Sequence, residues 1–192
     1  MKKIFFIFFV LQSFVLSDNS SKQHIALTIH ENLINDFFSS MGEITGDGET
    51  SIASYNWKLI KPHIEIEEDS IYLLSEVLIN VGKMKTRKDI KGYVSAEFDK
   101  ELNEINLVIE EAKVIIDADL FGSKHVIKKL DIADYFPEKF SINGPNVLAE
   151  YVEFKLPSGD IRQVDISLND SYLKLTKDAI KVYTSLSFNS EK

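Results

Sequence analysis

Apolar residues recur at every second position over most of the chain after Tyr55, and this alternation limits most strongly what the chain can fold into. The clearest run comprises Ile64, Ile66, Ile71, Leu73, Val77 and Ile79. A period of two places successive side chains on opposite faces of a β-strand. A turn at residues 68–70 interrupts the run, and such connections are too short for parallel crossovers. The alternation therefore predicts an antiparallel meander.

Further strands are predicted on the same grounds. They cover residues 92–98, 105–109, 114–120, 147–156, 161–168, 172–175 and 180–188. A change of phase near Ala112 indicates a bulge between two of them. Residues 46–49, 82–89 and 99–104 are predicted to be connections, and residues 142–145 are predicted to break the chain between elements.

Two segments have helical periodicity instead. Thr28 and Glu31 have the spacing of a capping box, and Gly42 ends the first helix. Its apolar face carries Leu33, Ile34, Phe37, Phe38 and Met41. A shorter helix is predicted over residues 126–136, before Pro137. The predicted fold class is therefore α+β, a curled antiparallel β-sheet packed on one long amphipathic helix and one short helix.

Residues 1–17 have the pattern of a secretory signal peptide. Lys2 and Lys3 precede an apolar run from Ile4 to Val15, and a plausible cleavage site precedes Asp18. The run is shorter than the roughly 20 residues that span a bilayer, and no later segment is long and apolar enough. We expect a periplasmic or secreted protein with a single domain over residues 18–192. An uncleaved N-terminal anchor is the alternative.

Cysteine content and charge exclude several classes of function. The chain has no cysteine, which excludes disulfides, thiol catalysis, cysteine-ligated metals and the lipid anchor of a lipoprotein. The formal net charge of −8 falls to about −10 when the two N-terminal lysines are removed. Nucleic acid binding depends on Lys and Arg side chains that neutralise phosphates, and this chain is acidic, so no nucleic acid partner is expected.

No catalytic or metal-binding motif is recognisable. The four histidines, His24, His30, His63 and His125, lack the spacing of a zinc site. The chain has no nucleophile elbow and no phosphate-binding glycine loop. We therefore predict no catalytic residue, no metal and no cofactor, although an enzyme of an unrecognised type remains a third alternative.

One stretch of the chain is echoed later in it. The residues from Ile64 to Ile79 align without gaps to those from Leu173 to Phe188, apolar to apolar and Asp69 to Asp178. Any two hairpins with an Asp in the turn share such a pattern, and this is one explanation. A duplicated strand–turn–strand unit is the other.

The apolar helix face has two interpretations. It can belong to a filled core, because a helix on a curled sheet needs such residues. It can also line a groove for an apolar ligand between helix and sheet. Periodicity does not distinguish a filled interior from an open one.

The phrases LTIHENLINDFF, IEIEEDSIYLLSEVLI and LKLTKDAIKVYTSLSF give the chain a helix-then-sheet start and strand–Asp-turn–strand hairpins. In this order of elements the chain resembles the tubular lipid-binding superfamily, which includes bactericidal/permeability-increasing protein-like domains and small bacterial periplasmic members. The resemblance extends from Leu27 to Phe188. It implies a curved sheet around a long helix that holds lipid acyl chains between them, with Leu33, Ile34, Phe37 and Phe38 lining the groove.

The function that we expect is therefore binding of a lipid or another apolar small molecule in the cell envelope. The alternative is a protein-interaction or scaffolding module with a filled core, no ligand and an envelope protein as partner.

Overall fold

The computed structural model describes residues 23–120, 122–147 and 149–190. Of these residues, 68% lie in strands and 8% in helices. The α+β class with one long and one short helix is therefore wrong, because the fold is mostly β and has one α-helix among the described residues. The predicted signal peptide lies outside the described residues.

The described elements form two curled, half-barrel sheets and one small hairpin sheet. In chain order they are β1 (Ile25–His30), α1 (Glu31–Ser40), β2 (Thr45–Glu49), β3 (Ser54–Ile66), β4 (Ile71–Val81), β5 (Met84–Asp99), β6 (Glu104–Glu111), β7 (Lys113–Leu120), β8 (Ser123–Asp131), a 3-10 helix (Ile132–Tyr135), β9 (Phe140–Asn143), β10 (Tyr151–Lys155), β11 (Ile161–Thr176) and β12 (Ala179–Ser190). The six-stranded sheet has the order β2-β3-β4-β5-β6-β9, the four-stranded sheet the order β1-β12-β11-β10, and β7 and β8 pair alone. All of the pairings are antiparallel.

Strand β4 shows why the alternation was a reliable signal. Every second side chain from Ile71 to Val81 is buried, and those between are only partly covered. The buried set faces one core together with residues from the neighbouring strands, α1 and the 3-10 helix. The antiparallel meander from β3 to β6 is therefore confirmed. The predicted connection over residues 82–89 is wrong, because β5 begins at Met84, directly after the turn at Gly82.

The two echoed segments form hairpins with the same register. In the first hairpin Ile64 lies opposite Leu73, and 109 residues later Leu173 lies opposite Val182. Each hairpin also carries one register shift, after Ile60 in β3 and after Leu168 in β11, and these places are one position apart in the alignment. The two hairpins therefore share their turn and pairing register, while their bulges differ by one position, so a duplicated unit stays one of the two explanations.

Helix α1 covers the part of the β3 edge that β2 does not reach. The Asn35 amide accepts a hydrogen bond from the Ile64 N–H (2.6 Å) and donates one to the Ile64 carbonyl (2.9 Å). One turn earlier, the Glu31 carboxylate accepts from the Ile66 N–H at 2.8 Å. The backbone of Asp178, in the β11–β12 turn, accepts from the Glu31 N–H and donates to the Ile66 carbonyl, both at 2.9 Å. The helix therefore links both large sheets.

The predicted short helix is instead strand β8 followed by the 3-10 helix. Its apparent helical spacing arises from a bulge, because the register with β7 shifts between Ile116 and Asp117 and leaves Ile127 as the extra residue. The shift lets Ile127 and Leu130 both face the core, although they are three residues apart.

The capping box at the start of the first helix is also wrong. Thr28 lies in β1, which pairs with β12, and the residue that precedes the helix is His30, whose side chain makes no capping bond. The same residues that fit a helix also alternate, since Leu27 and Ile29 face one side of β1. Pairing with β12 decides between the two periods.

Residues 46–49 form strand β2 rather than the predicted loop. Gly46 lies opposite Trp57, and Gly48 lies opposite Tyr55. A Cβ atom at Gly46 would come within 2.6 Å of the indole ring of Trp57. The glycines thus allow two large rings to lie over β2, and the packing of these rings compensates for the missing side chains of glycine within a sheet.

Candidate apolar groove

The apolar face of α1 is divided between the core and the surface. Ile34 and Phe38 are buried, whereas Leu33 is 58% and Phe37 52% exposed. The helix lies along one edge of the six-stranded sheet, so only one side of its apolar face reaches the core. The other side is left facing outward.

A cavity of about 420 Å³ lies beside this outward side. Its far wall is formed by Phe140 and Ile142 of β9, with Leu107 of β6 beneath them. Strand β9 brings these residues there because it pairs with β6 at the end of the sheet, with Phe140 opposite Leu107. A volume of this size falls in the range of about 300–1,000 Å³ that small-molecule sites occupy.

Three phenylalanine rings line this groove, Phe37 and Phe38 on α1 and Phe140 on β9, and a fourth, Phe136, packs against Phe38. Phe140 lies 5.5 Å from both Phe37 and Phe38 between ring centroids, and Phe136 lies 5.7 Å from Phe38. The contacts are edge-on or tilted, which is the favoured geometry for aromatic pairs. Phe38 and Phe136 are buried, so the exposed Phe37 packs against side chains of the core.

Polar groups occur only at one side of the groove lining. Lys139 Nζ lies 3.8 Å from a carboxylate oxygen of Glu104, and the Ser141 hydroxyl donates to Asn106 at 2.7 Å. The lysine side chain is 48% exposed. The groove is therefore lined mainly by apolar side chains, with one cationic side chain at its border.

The structure places four of the five predicted ligand-lining residues around this groove, namely Leu33, Ile34, Phe37 and Phe38. Met41 packs against the core and does not line it. The ligand-binding role of these residues stays a prediction.

The opposite wall was not found from the sequence. Residues 142–145 were predicted to break the chain, whereas β9 extends from Phe140 to Asn143. The alternation of Phe140 and Ile142 with Ser141 and Asn143 was the available signal, but four residues give only two repeats of the period.

The histidines do not form a site with one another. His24 Nδ1 accepts from the Leu186 N–H at 2.7 Å, and His63 Nδ1 lies 3.1 Å from the Lys61 carbonyl. In the described ranges, no three His, Asp or Glu side chains come together as metal ligands would. No helix in that part of the chain is long and apolar enough to cross a membrane.

No protein-family model, no curated protein and no solved structure matches this chain significantly. The resemblance to the tubular lipid-binding superfamily therefore stays a prediction. What is known of the site rests on the groove itself.

Proposed function

We propose that this protein is exported to the cell envelope and binds a lipid or another apolar molecule in the groove between α1 and β9. The observation that carries the proposal is the exposure of Leu33 and Phe37 in a concave site whose other lining is apolar except for Lys139 and Ser141. Single exposed apolar residues are common, but a contiguous apolar cavity is typical of ligand sites.

The proposed mechanism is removal of apolar ligand surface from water. Each methylene that leaves water contributes about 0.8 kcal/mol, so an acyl chain can bind without fixed polar contacts. The ammonium of Lys139 at the border favours a ligand whose polar end is anionic, because Glu104 at 3.8 Å neutralises it only in part.

A tryptophan at the groove tests the proposal directly. In Phe37→Trp the new indole should shift to shorter emission wavelengths when a single-chain fatty acid or lysophospholipid is added, because the ligand displaces water from it. Trp57 is 1% exposed and gives a constant background. Ile52→Trp, at a site of similar exposure away from the groove, is the matched control and should not respond.

A charged substitution separates binding from folding. Leu33→Asp, introduced into Phe37→Trp, should abolish the emission shift on addition of ligand. It should leave the midpoint of thermal unfolding close to that of Phe37→Trp, because the leucine is more than half exposed. Ile52→Asp should change neither. The proposal fails if Phe37→Trp stays silent towards fatty acids, phospholipids and apolar dyes, or if Leu33→Asp binds them unchanged.

The second candidate is a protein-interaction module. The observation that favours it is strand β10, which lies at the end of the four-stranded sheet with all five of its side chains exposed. The two functions use different residues and are compatible with each other.

A further inference from the structure

Strand β10 has a free edge whose hydrogen-bonding groups can be assigned. The Glu150 carbonyl accepts a hydrogen bond from the Ile166 N–H, and the Leu156 N–H donates one to the Asp160 carbonyl. The N–H and C=O groups of the even-numbered residues of β10 therefore point towards β11. The N–H and C=O groups of Tyr151, Glu153 and Lys155 therefore point the other way. Within the ranges that the structure describes, no strand pairs with that side.

The sheet face next to this edge carries apolar side chains, beside Arg162 opposite Phe154, that the described residues leave exposed. Val152 and Phe154 lie on it, 49% and 45% exposed, and Phe188 is exposed to a similar extent further along the same face. The equivalent position to Phe188 in the first hairpin is Ile79, which is 1% exposed. The apolar face of the second hairpin is thus buried at Ile180 and Val182 but open at the end that carries Phe188, whereas the first hairpin is covered at the equivalent end.

We infer that β10 pairs antiparallel with β10 of a second copy of this chain, joining two four-stranded sheets across a two-fold axis at Phe154. An outward-facing residue can exchange hydrogen bonds only with another outward-facing one, which restricts the pairing to a few registers. Centring on Glu153 sets that carboxylate opposite its own copy, which is unfavourable.

Centring on Phe154 gives complementary chemistry instead. Glu153 of each copy then lies opposite Lys155 of the other, and these two pairs exchange the main-chain hydrogen bonds. On the opposite face Phe154 meets its own copy and Val152 meets Leu156. Each strand thus contributes one Glu and one Lys, which form two ion pairs across the interface, and the opposite face forms a continuous apolar strip.

The absence of native cysteine allows the register to be read by crosslinking. In a non-hydrogen-bonded antiparallel pair the Cα atoms are about 4.5 Å apart, within reach of a disulfide. Phe154→Cys should therefore give a covalent dimer under mild oxidation with copper phenanthroline. Val152→Cys is the matched control, because its two copies would be about 13 Å apart along the strands.

Charge reversal tests the same pairing without oxidation. Glu153→Lys or Lys155→Glu alone places like charges opposite each other twice, so each should raise the dimer dissociation constant at least about tenfold. The double variant restores opposite charges and should return it to the parental value. Sedimentation equilibrium up to about 100 µM covers the weak affinities expected of a small interface.

Several results would overturn the inference. The inference is wrong if the parent chain stays monomeric over this concentration range, or if crosslinking favours Val152→Cys or Glu153→Cys over Phe154→Cys. It is also wrong if the double variant stays dissociated. Circular dichroism of each variant checks that the fold is intact, which the exposure of all these side chains leads us to expect.

Discussion

At the scale of single residues, Asn35 acts as a substitute for a neighbouring strand. Its amide forms the pair of hydrogen bonds to Ile64 that the next strand of a sheet would otherwise supply. An unprotected strand edge tends to pair with other chains, and covering it with a helix is one of the ways in which proteins prevent this. A polar residue on a helix that packs against a sheet has a structural role here.

Replacing Asn35 by Ala should lower the free energy of unfolding by about 2 kcal/mol, because the Ile64 N–H and C=O lose their partners in a partly buried place. Urea denaturation measures the change. Ser39→Ala, on the same helix, is the control, since its hydroxyl bonds only to the Asn35 carbonyl within the helix, and it should stay within about 0.5 kcal/mol of the parent. Equal stabilities of the two variants would contradict this role of Asn35.

Asp117 provides a second prediction at this scale. Its carboxylate lies 2.6 Å from Lys88 Nζ and 3.4 Å from Lys124 Nζ, and its side chain is 14% exposed. The hydrogen bond from Lys88 is the main reason why the pKa of Asp117 is lowered from its ordinary value of 3.8. The pair connects β5 to β7, and so joins the six-stranded sheet to the hairpin sheet.

A carboxyl whose pKa is lowered by folding stabilises the protein above its unfolded pKa, and that contribution disappears as the pH falls through the folded pKa. Asp117→Asn should therefore cost about 2 kcal/mol near neutral pH, where charge-assisted bonds are lost. The difference from the parent should shrink below pH 3.8. Urea titrations at both pH values measure it, and a difference that does not change with pH would exclude the ion pair as the cause.

At the scale of elements, the strands with a regular period were predictable and the irregular ones were not. Strands β3 and β4 alternate over many residues, so their positions followed from the sequence. Strand β8 was mistaken for a helix because the bulge at Ile127 produced helical spacing. Strand β2 was missed because its glycines are explained only by Trp57 and Tyr55 across the strand, which is a tertiary contact. The α1 side of the groove was predictable because the helix has a regular period. Strand β9 was not predictable, because four residues are too few to show a period.

Gly46→Ala tests the role of glycine in β2. Glycine is usually unfavourable within a strand, so alanine would normally be neutral or stabilising. Here the added methyl would meet the Trp57 ring, and we expect a loss of about 1–3 kcal/mol as in other overpacked sites. Thr45→Ala, one residue earlier at an exposed site, should have little effect on the thermal midpoint. A stable Gly46→Ala variant would show that the indole can move aside.

At the scale of the whole molecule, the chain has two hairpins of one design in different surroundings. In the first, the apolar face is covered, and Trp57 packs against Tyr135 of the 3-10 helix at 4.6 Å between ring centroids. In the second, the equivalent face is buried at Ile180 and Val182 and open only at the end next to β10, where Phe188 is exposed. This difference places the two proposed functions on separate parts of the protein.

Export is also a property of the whole chain. If residues 1–17 are removed as proposed, the intact mass of protein purified from its native envelope will correspond to residues 18–192. Native mass spectrometry of the same sample, followed by organic extraction, would detect a retained lipid. An intact mass that includes Met1 to Ser17 would instead indicate an uncleaved anchor.

The hydrogen bonds between α1 and β3 determine what deuterium exchange will measure. The Ile64 and Ile66 N–H groups are bonded to side chains of the helix, so they can exchange whenever α1 lifts from the sheet, without unfolding of the strands. Leu73 lies in β4 between two paired strands, β3 and β5, so its N–H exchanges only when the sheet opens. Since α1 is also one wall of the groove, slower exchange at Ile64 and Ile66 upon addition of a ligand would follow the occupied state of the protein residue by residue.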